Sequence, residues 1–489
     1  MAFVLAIDQG TTNTKALLID EEGRIAARAS APVGVSYPQP GWVEQSPGAI
    51  WQSVVEVASR CAAEAAGQPI AALGISNQRE SVLLWHRRTG QPIGPCVTWQ
   101  CRRSADRLHA LRTPAFEAEV QSITGLGIDP LFPAAKLGWL LDAYPEARAL
   151  AEGGELCAGT VDSWLLFNLA GGAVHATDAG NASRTQLFDI RQGVWSTPLA
   201  ERFGVPPAIL PRVLPSDSRF GAVTGTGWLE GVPITAVLGD SHAALFGHGI
   251  RAPGAVKATY GTGSSLMTLT AAPVASAHGL STTIAWQRGP IISYALEGNI
   301  SVSAQAAGWV ATLLGLEDSA ALTRLAETVP DSGGVTFVPA LAGLGAPHWR
   351  DAARGMFCGM TLGTRPAHLA RATIDAIALQ ICDVFAAMEL DSGARLEALS
   401  VDGGATDNDL LMQTQADLLG RPVDRKAVAE LSAVGAAVMA GATVGLWDEF
   451  GPAALRGARD RLVPARPDGW REQMVDDWQL ALARALLGT

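Results

Sequence analysis

Charge is scarce and unbalanced in this chain. Asp, Glu, Lys and Arg make up 17% of its 489 residues, and 47 acidic against 36 basic side chains leave a formal net charge of −11. Extended nucleic acid and anionic lipid both need a positive field, so bulk binding to either is excluded. A local anion site is not, because a few backbone amides and one lysine suffice for it. Cysteine is equally sparse: six are scattered at 61, 96, 101, 157, 358 and 382, without the pair-of-pairs spacing of a zinc site. Reduced, buried thiols and a reducing cytoplasm are expected. No basic start precedes a cleavable apolar segment, so no signal peptide is expected. The uncharged apolar run 431–447 is too short and too rich in Ala and Gly to span a membrane. It predicts a tightly packed internal helix followed by a turn.

What the sequence does hold is apolar material, 48% of its residues. A chain of this length exceeds one core and fits two domains of roughly 240 residues each. The Gly- and Pro-containing stretch 248–254 looks like the crossing, giving an N-terminal unit 1–250 and a C-terminal unit 251–489. Each half opens in the same way. The apolar run Phe3 to Ile7 ends in Asp8-Gln9-Gly10-Thr11-Thr12-Asn13-Thr14-Lys15 and continues into Ala16 to Asp20, which predicts a hairpin. Its turn offers amides, hydroxyls and one cation, a set that suits phosphate oxygens, although an ordinary polar turn reads the same way. Asp8 is the odd member, since a carboxylate repels a phosphate unless a cation such as Mg2+ lies between them. Near the midpoint, Ala255 to Tyr260 runs into Gly261-Thr262-Gly263-Ser264-Ser265 and out through Leu266 to Leu269. Two such hairpins, one at the start of each half, predict two similar halves facing one nucleotide.

Between and beyond them lie residues with two readings each. A third β-compatible stretch, 24–35, precedes a helix that starts at Ser46-Pro47 and carries Ile50, Trp51, Val54, Val55 and Ala58 on one stripe. The strand Ile70 to Ile75 ends in Ser76-Asn77-Gln78-Arg79-Glu80. Arg79 and Glu80 are either a solvated ion pair or a donor and an acceptor lining a cleft. Asp240, after the apolar run Ile234 to Leu238, is either a helix N-cap or a carboxylate at the lip of the domain junction. Ala295 to Asn299 looks like a cleft wall. Gly403-Gly404, after Leu399 to Asp402, is either a tight strand-to-helix turn or a seat for a planar ring with Asn408 beside it. Asp162 to Thr185 is assigned no chemistry, because turn capping explains its polar residues.

With these residues in view, the chain resembles the FGGY family of carbohydrate kinases, the glycerol kinases most closely, over nearly its whole length. The likeness is carried by the two hairpins, Asn77-Gln78-Arg79-Glu80, Val97-Thr98-Trp99-Gln100-Cys101-Arg102-Arg103, Thr177-Asp178 with Asn181 to Thr185, and Gly239-Asp240. The resemblance implies an α/β fold of two ribonuclease-H-like (actin-like ATPase) domains facing across a nucleotide cleft. It also implies ATP and Mg2+ as cofactors and a small polyol or sugar as the partner, with no nucleic acid or membrane; the family often forms dimers or tetramers. By the same likeness Asp240 is the base that accepts the substrate hydroxyl proton, and Arg79 and Glu80 hold the polyol. Trp99 packs against the carbon skeleton or is simply a core tryptophan. Thr11, Thr12, Asn13 and Lys15 hold the phosphate tail opposite Gly261, Thr262 and Gly263, and Asp8 anchors Mg2+. Gly298, Gly403, Gly404 and Asn408 complete the nucleotide site.

Three positions depart from the glycerol kinase pattern, all in the acceptor pocket. Leu131 stands where a tyrosine is usual, Ser241 where a glutamine is, and Ser265 where a phenylalanine is. The first two changes remove hydrogen-bonding reach and the last two free volume, which implies a four- or five-carbon polyol or ketose, with His242 facing the added hydroxyls. The segment 221–240 also lacks the basic glycine-rich loop with which some bacterial glycerol kinases bind a phosphorylated sugar regulator. Two other readings stand beside this one: glycerol kinase proper, and an actin-like ATPase switch with no small acceptor. A catalytically silent sugar binder is disfavoured by the presence of both Asp8 and Asp240.

Overall fold

The opening strand Phe3–Gln9 is apolar on both faces, and its two-residue period explains how both come to be covered. Leu5 and Ile7 point to one side, where they join Ile50, Val54 and Val57 of the helix Pro47–Ala63. Val4 and Ala6 point to the other side. The computed structural model describes residues 2–487. In it Phe3–Gln9 pairs antiparallel with Asn13–Asp20, and that strand with Ile25–Pro32. On its other edge it runs parallel to Ile70–Asn77, which runs parallel to Pro233–Gly239. Ser46 caps the covering helix by accepting from Ala49 N, with Pro47 at its first position. The helix ends at Ala63, and Trp51 and Val55 flank its buried stripe.

The second large sheet repeats this plan. Ala255–Tyr260 pairs antiparallel with Ser264–Thr270, that strand with Ile291–Ile300, and the last with Ser281–Arg288. On its other edge Ala255–Tyr260 runs parallel to Ala398–Asp402, which runs parallel to Val423–Lys426. Val256, Ala258 and Tyr260 face a core that includes the long helix Pro366–Ser392. Hairpin, further antiparallel strand, then parallel strands: both halves follow one order, as the paired hairpins predict. In open α/β sheets ligands gather beyond the carboxyl ends of parallel strands. Those ends here carry Asp8, Arg79-Glu80 and Asp240 in the first sheet and Gly261 and Gly403 in the second.

One element crosses the expected division. The helix Leu431–Thr443 belongs in sequence to the 251–489 unit, yet Leu431, Val434 and Ala437 pack against Val4, Ala6 and Leu238 on the open face of the first sheet. Met267, Leu269 and Ala295 of the second sheet join the same cluster. The helix also crosses Asp240–Gly247 at very short range: a Cβ on Gly435 would lie 1.8 Å from the Ala243 carbonyl oxygen, and one on Gly247 would lie 2.3 Å from that of Leu431. Its Ala- and Gly-rich composition is what lets the backbones meet. Gly435→Ala is therefore expected to cost about 3 kcal/mol, the upper end of overpacking. Gly469→Ala, where an added Cβ meets nothing within 4 Å, should leave the thermal midpoint unchanged or higher. Thermal unfolding of the two variants checks this.

All six cysteines are free thiols, four of them buried. Among the described residues no helix is long and apolar enough to cross a membrane.

Candidate active site

Arg79 and Glu80 follow the strand Ile70–Asn77 after one residue, Gln78, and both are buried. They do not pair with each other. Arg79 Nε donates to Asp240 Oδ1 at 3.1 Å and Nη2 to Glu297 Oε1 at 2.5 Å, while Nη1 lies 3.4 Å from His242 Nε2. The Glu80 carboxylate accepts from Arg184 Nε at 2.6 Å. Arg184 Nη1 sits 2.8 Å from Glu297 Oε2, a close ion pair without hydrogen-bond alignment. The charges thus alternate along one line: Asp240, Arg79, Glu297, Arg184, Glu80. Glu297 comes from the second sheet and the other four from the first half, so the line bridges the two halves.

Three carboxylates against two guanidiniums leave the line one negative charge in excess. Burial pushes Glu297 up, but Arg184 and Arg79 more than reverse this and hold it well below the usual carboxylate range. Asp240 goes the other way. The protein packed around its Oδ1 side raises its carboxyl by desolvation, Arg79 opposes this, Glu80 adds to the rise and the Ser241 N–H opposes it, while the solvent that reaches the exposed part of the side chain moderates the rise. Gly239 is the N-cap of the helix Asp240–Gly247, so Asp240 is not spent on capping. Its Oδ1 accepts from Arg79 and from Ser241 N at 2.6 Å. Its Oδ2 has no partner among the described residues, and 40% of the side chain is exposed. A carboxylate of raised basicity with one free oxygen is equipped to take a proton.

The two turns lie alongside. Gly10 N donates to Asn13 O to close the first, with Thr12 and Asn13 exposed and Thr11 and Lys15 partly so. Thr11 Oγ1 accepts from Trp99 Nε1 at 2.9 Å, and Trp99 is 37% exposed, so it is not a core residue. Asp8 Oδ1 accepts from Ser76 Oγ at 2.7 Å. Burial raises the Asp8 carboxyl to about 6, with Ser76 opposing and Asp240 adding to the rise. In the second turn Thr262 is exposed and its carbonyl accepts from Ser303 N at 2.9 Å. Gly263 could bear no side chain, since a Cβ would lie 2.3 Å from Ile300 O. Gly403 adopts φ +97° and presses equally close on Tyr260 O, whereas Gly404 has nothing within 4 Å of an added Cβ. Asn408 caps the helix Asp409–Leu419 by accepting from Leu411 N, and its amide donates to Thr323 Oγ1 at 2.9 Å. From opposite halves, Ser241 Oγ and Ser265 Oγ approach to 3.4 Å, and Ser265 Oγ is 3.4 Å from Glu297 Oε1.

Residues 3–247 match the model of the N-terminal domain of the FGGY family of carbohydrate kinases, and residues 256–444 that of its C-terminal domain. The chain belongs to this family. An apulose kinase of Pectobacterium atrosepticum is 49% identical over 488 residues, covering 99% of this chain and 98% of the relative. A glycerol kinase of Burkholderia multivorans is 45% identical over the same coverage. Among solved structures, Plasmodium falciparum glycerol kinase with ADP superposes with a TM-score of 0.94 at 31% identity, covering 99% of this chain and 98% of that one. The two-domain actin-like fold follows, and the protein is a kinase that transfers a phosphoryl group from ATP to a hydroxyl of a small polyol or sugar. An ATPase switch without an acceptor is thereby set aside.

Within this FGGY kinase the structure corrects two expectations. His242 does not face the acceptor: it is fully buried behind Arg79, and burial, with Arg79 beside it, drives its pKa well below the usual histidine value. Gly298 does not line the nucleotide site, because an added Cβ would lie 2.4 Å from Val384 of the long helix, on the core side of its strand. Leu131, half-buried, closes a loop whose carbonyl accepts from Lys136 Nζ at 2.6 Å. Sequence reasoning missed Arg184, treated as part of a capping segment. It noted the strand of Glu297 without its charge, and it passed over Lys136.

Proposed function

We propose that this kinase phosphorylates a four- or five-carbon polyol or ketose, with Asp240 as the base. The observation that carries the assignment is the free Oδ2 of Asp240, at the one point where the charge line of both halves is exposed to the cleft. Arg79 and Glu80 hold the acceptor hydroxyls and Trp99 covers its carbon chain. The Gly10-Thr11-Thr12-Asn13 and Gly261-Thr262-Gly263 turns, with Lys15, hold the phosphate tail, and adenine lies over the open face of Gly404 beside Asn408. Among the described residues no cluster of three or more His, Cys, Asp or Glu could hold a metal. Asp8, whose Oδ1 is held by Ser76 Oγ beside the first turn, would hold Mg2+ brought in with the nucleotide. When bound it supplies charge neutralisation on the phosphates. The free thiols suit a reducing cytoplasm.

The size of the acceptor rests on Leu131, Ser241 and Ser265, three side chains that leave room and, at Leu131, offer no hydrogen bond. A site that does not pair a given hydroxyl cannot select strongly for it. Initial rates with ATP, Mg2+ and a panel of glycerol, tetritols, pentitols and ketopentoses, apulose included, check this. A four- or five-carbon compound is expected to exceed glycerol in kcat/KM by about tenfold or more, and chelation of the metal should abolish turnover. Preference for glycerol would return the chain to glycerol kinase proper.

A further inference from the structure

Lysine is the rare cation here: four occur, Lys15, Lys136, Lys257 and Lys426, among 36 basic residues. Surface ion pairs such as Arg60–Glu56, Arg88–Glu155 and Arg112–Glu117 are made with arginine. A lysine kept in such a chain points to a place where a compact ammonium is needed and a planar fork would not serve. Lys136 is one. It is fully buried within the helix Pro133–Ala143, and its Nζ donates to two carbonyl oxygens, those of Glu80 at 3.0 Å and Leu131 at 2.6 Å.

Both acceptors need holding. Glu80 sits at φ +59°, a conformation a non-glycine residue keeps only when its surroundings impose it. Its side chain is fixed by Arg184, and its carbonyl by Lys136. Leu131 lies one residue before the end of the loop 125–132; its N–H donates to Asp129 Oδ1 at 2.7 Å, and the ring of the next residue, Phe132, lies 5.2 Å from the Arg184 guanidinium. Two carbonyls from separate segments, converging on one lysine Nζ, fix the distance between those segments.

We propose that Lys136 is a positioning residue for acceptor selection, tying the Glu80 wall of the pocket to the Leu131 wall and so setting its width. This rests on the kinase reading above. Lys136→Met removes the donors with little change of volume. Its kcat/KM for the preferred acceptor is expected to fall about 10²-fold, mostly through KM. Discrimination between that acceptor and its shorter and longer homologues should shrink, while ADP affinity by calorimetry stays unchanged. A merely structural lysine would lower the thermal midpoint and scale all acceptors alike. Asp129→Ala, which removes the acceptor of the Leu131 N–H and so loosens the same loop, should shift the acceptor ratios in the same direction by less, and it carries the test if the methionine variant does not fold. The double variant should show less than the product of the two effects. Unchanged acceptor ratios in both single variants, beside an active wild type, overturn the role of Lys136 alone. A wild-type chain that phosphorylates no polyol or sugar overturns the kinase reading and this proposal with it.

Discussion

Asp240→Asn is expected to bind ADP as the parent chain does and to lose about 10²- to 10⁴-fold in turnover. The substitution keeps the shape of the side chain and an oxygen for the Arg79 and Ser241 N–H donors, so the local backbone has no reason to move. What disappears is the basicity of the free Oδ2. Arg79 retains its bond to Glu297, so no buried guanidinium is left without a partner. Initial rates at saturating ATP and acceptor, with ADP calorimetry alongside, separate chemistry from binding. The pH dependence adds a second check. A base must be deprotonated to act, and the Asp240 carboxyl is raised above its ordinary 3.8. Activity of the parent chain should therefore fall in acid at a pH higher than an unperturbed aspartate would give, and the residual activity of the variant should lack that limb. Near-parental turnover would move the proton to another acceptor.

The parts of this site legible in the sequence are those written in consecutive residues. A strand, a Gly/Thr turn and a second strand declare a hairpin locally, and both hairpins stand where that signal put them. Strand ends followed by polar residues were also readable, which is why Arg79, Glu80 and Asp240 were found. Arg184 and Glu297 were not, because their partners lie 104 and 218 residues away in the chain and no local pattern encodes a pairing of that span. The capping explanation given to 162–185 was correct for Asp178, which accepts from Gly180 N and Asn181 N, and it hid the arginine six residues later. Two misplacements follow from periodicity. On a strand, successive side chains take opposite faces, so a Glu297 that points at Arg79 and Arg184 sends position 298 to the other side, against Val384. On a helix, two residues turn the chain by about 200°, so an outward Asp240 turns His242 inward. The helix Leu431–Thr443 was legible as buried, but composition does not say which sheet it covers.

Glu297→Gln carries the largest expected effect on stability, about 3–5 kcal/mol, the cost of breaking a buried charge network by removing one partner. Glu297 is almost wholly buried and stands between Arg79 and Arg184, both of which are themselves buried. A neutral amide can accept from one guanidinium but presents its own N–H groups to the other. The line then holds two guanidiniums and two carboxylates, with the repulsion between the arginines no longer divided by a negative charge. Because Glu297 belongs to the second sheet and both arginines to the first half, the loss falls on the contact between halves as well as on folding. Denaturant titration of parent and variant measures it; a difference below about 1 kcal/mol would mean that water screens the network as it does a surface pair. The sign with pH is fixed by the direction of the shift. Glu297 is held below its ordinary 4.5, so the advantage of the parent chain is fully present above that value and is lost progressively as the pH falls toward the depressed one. The stability gap between the two chains should accordingly narrow in acid, and a gap that widened there would place the stabilising charge on a different residue.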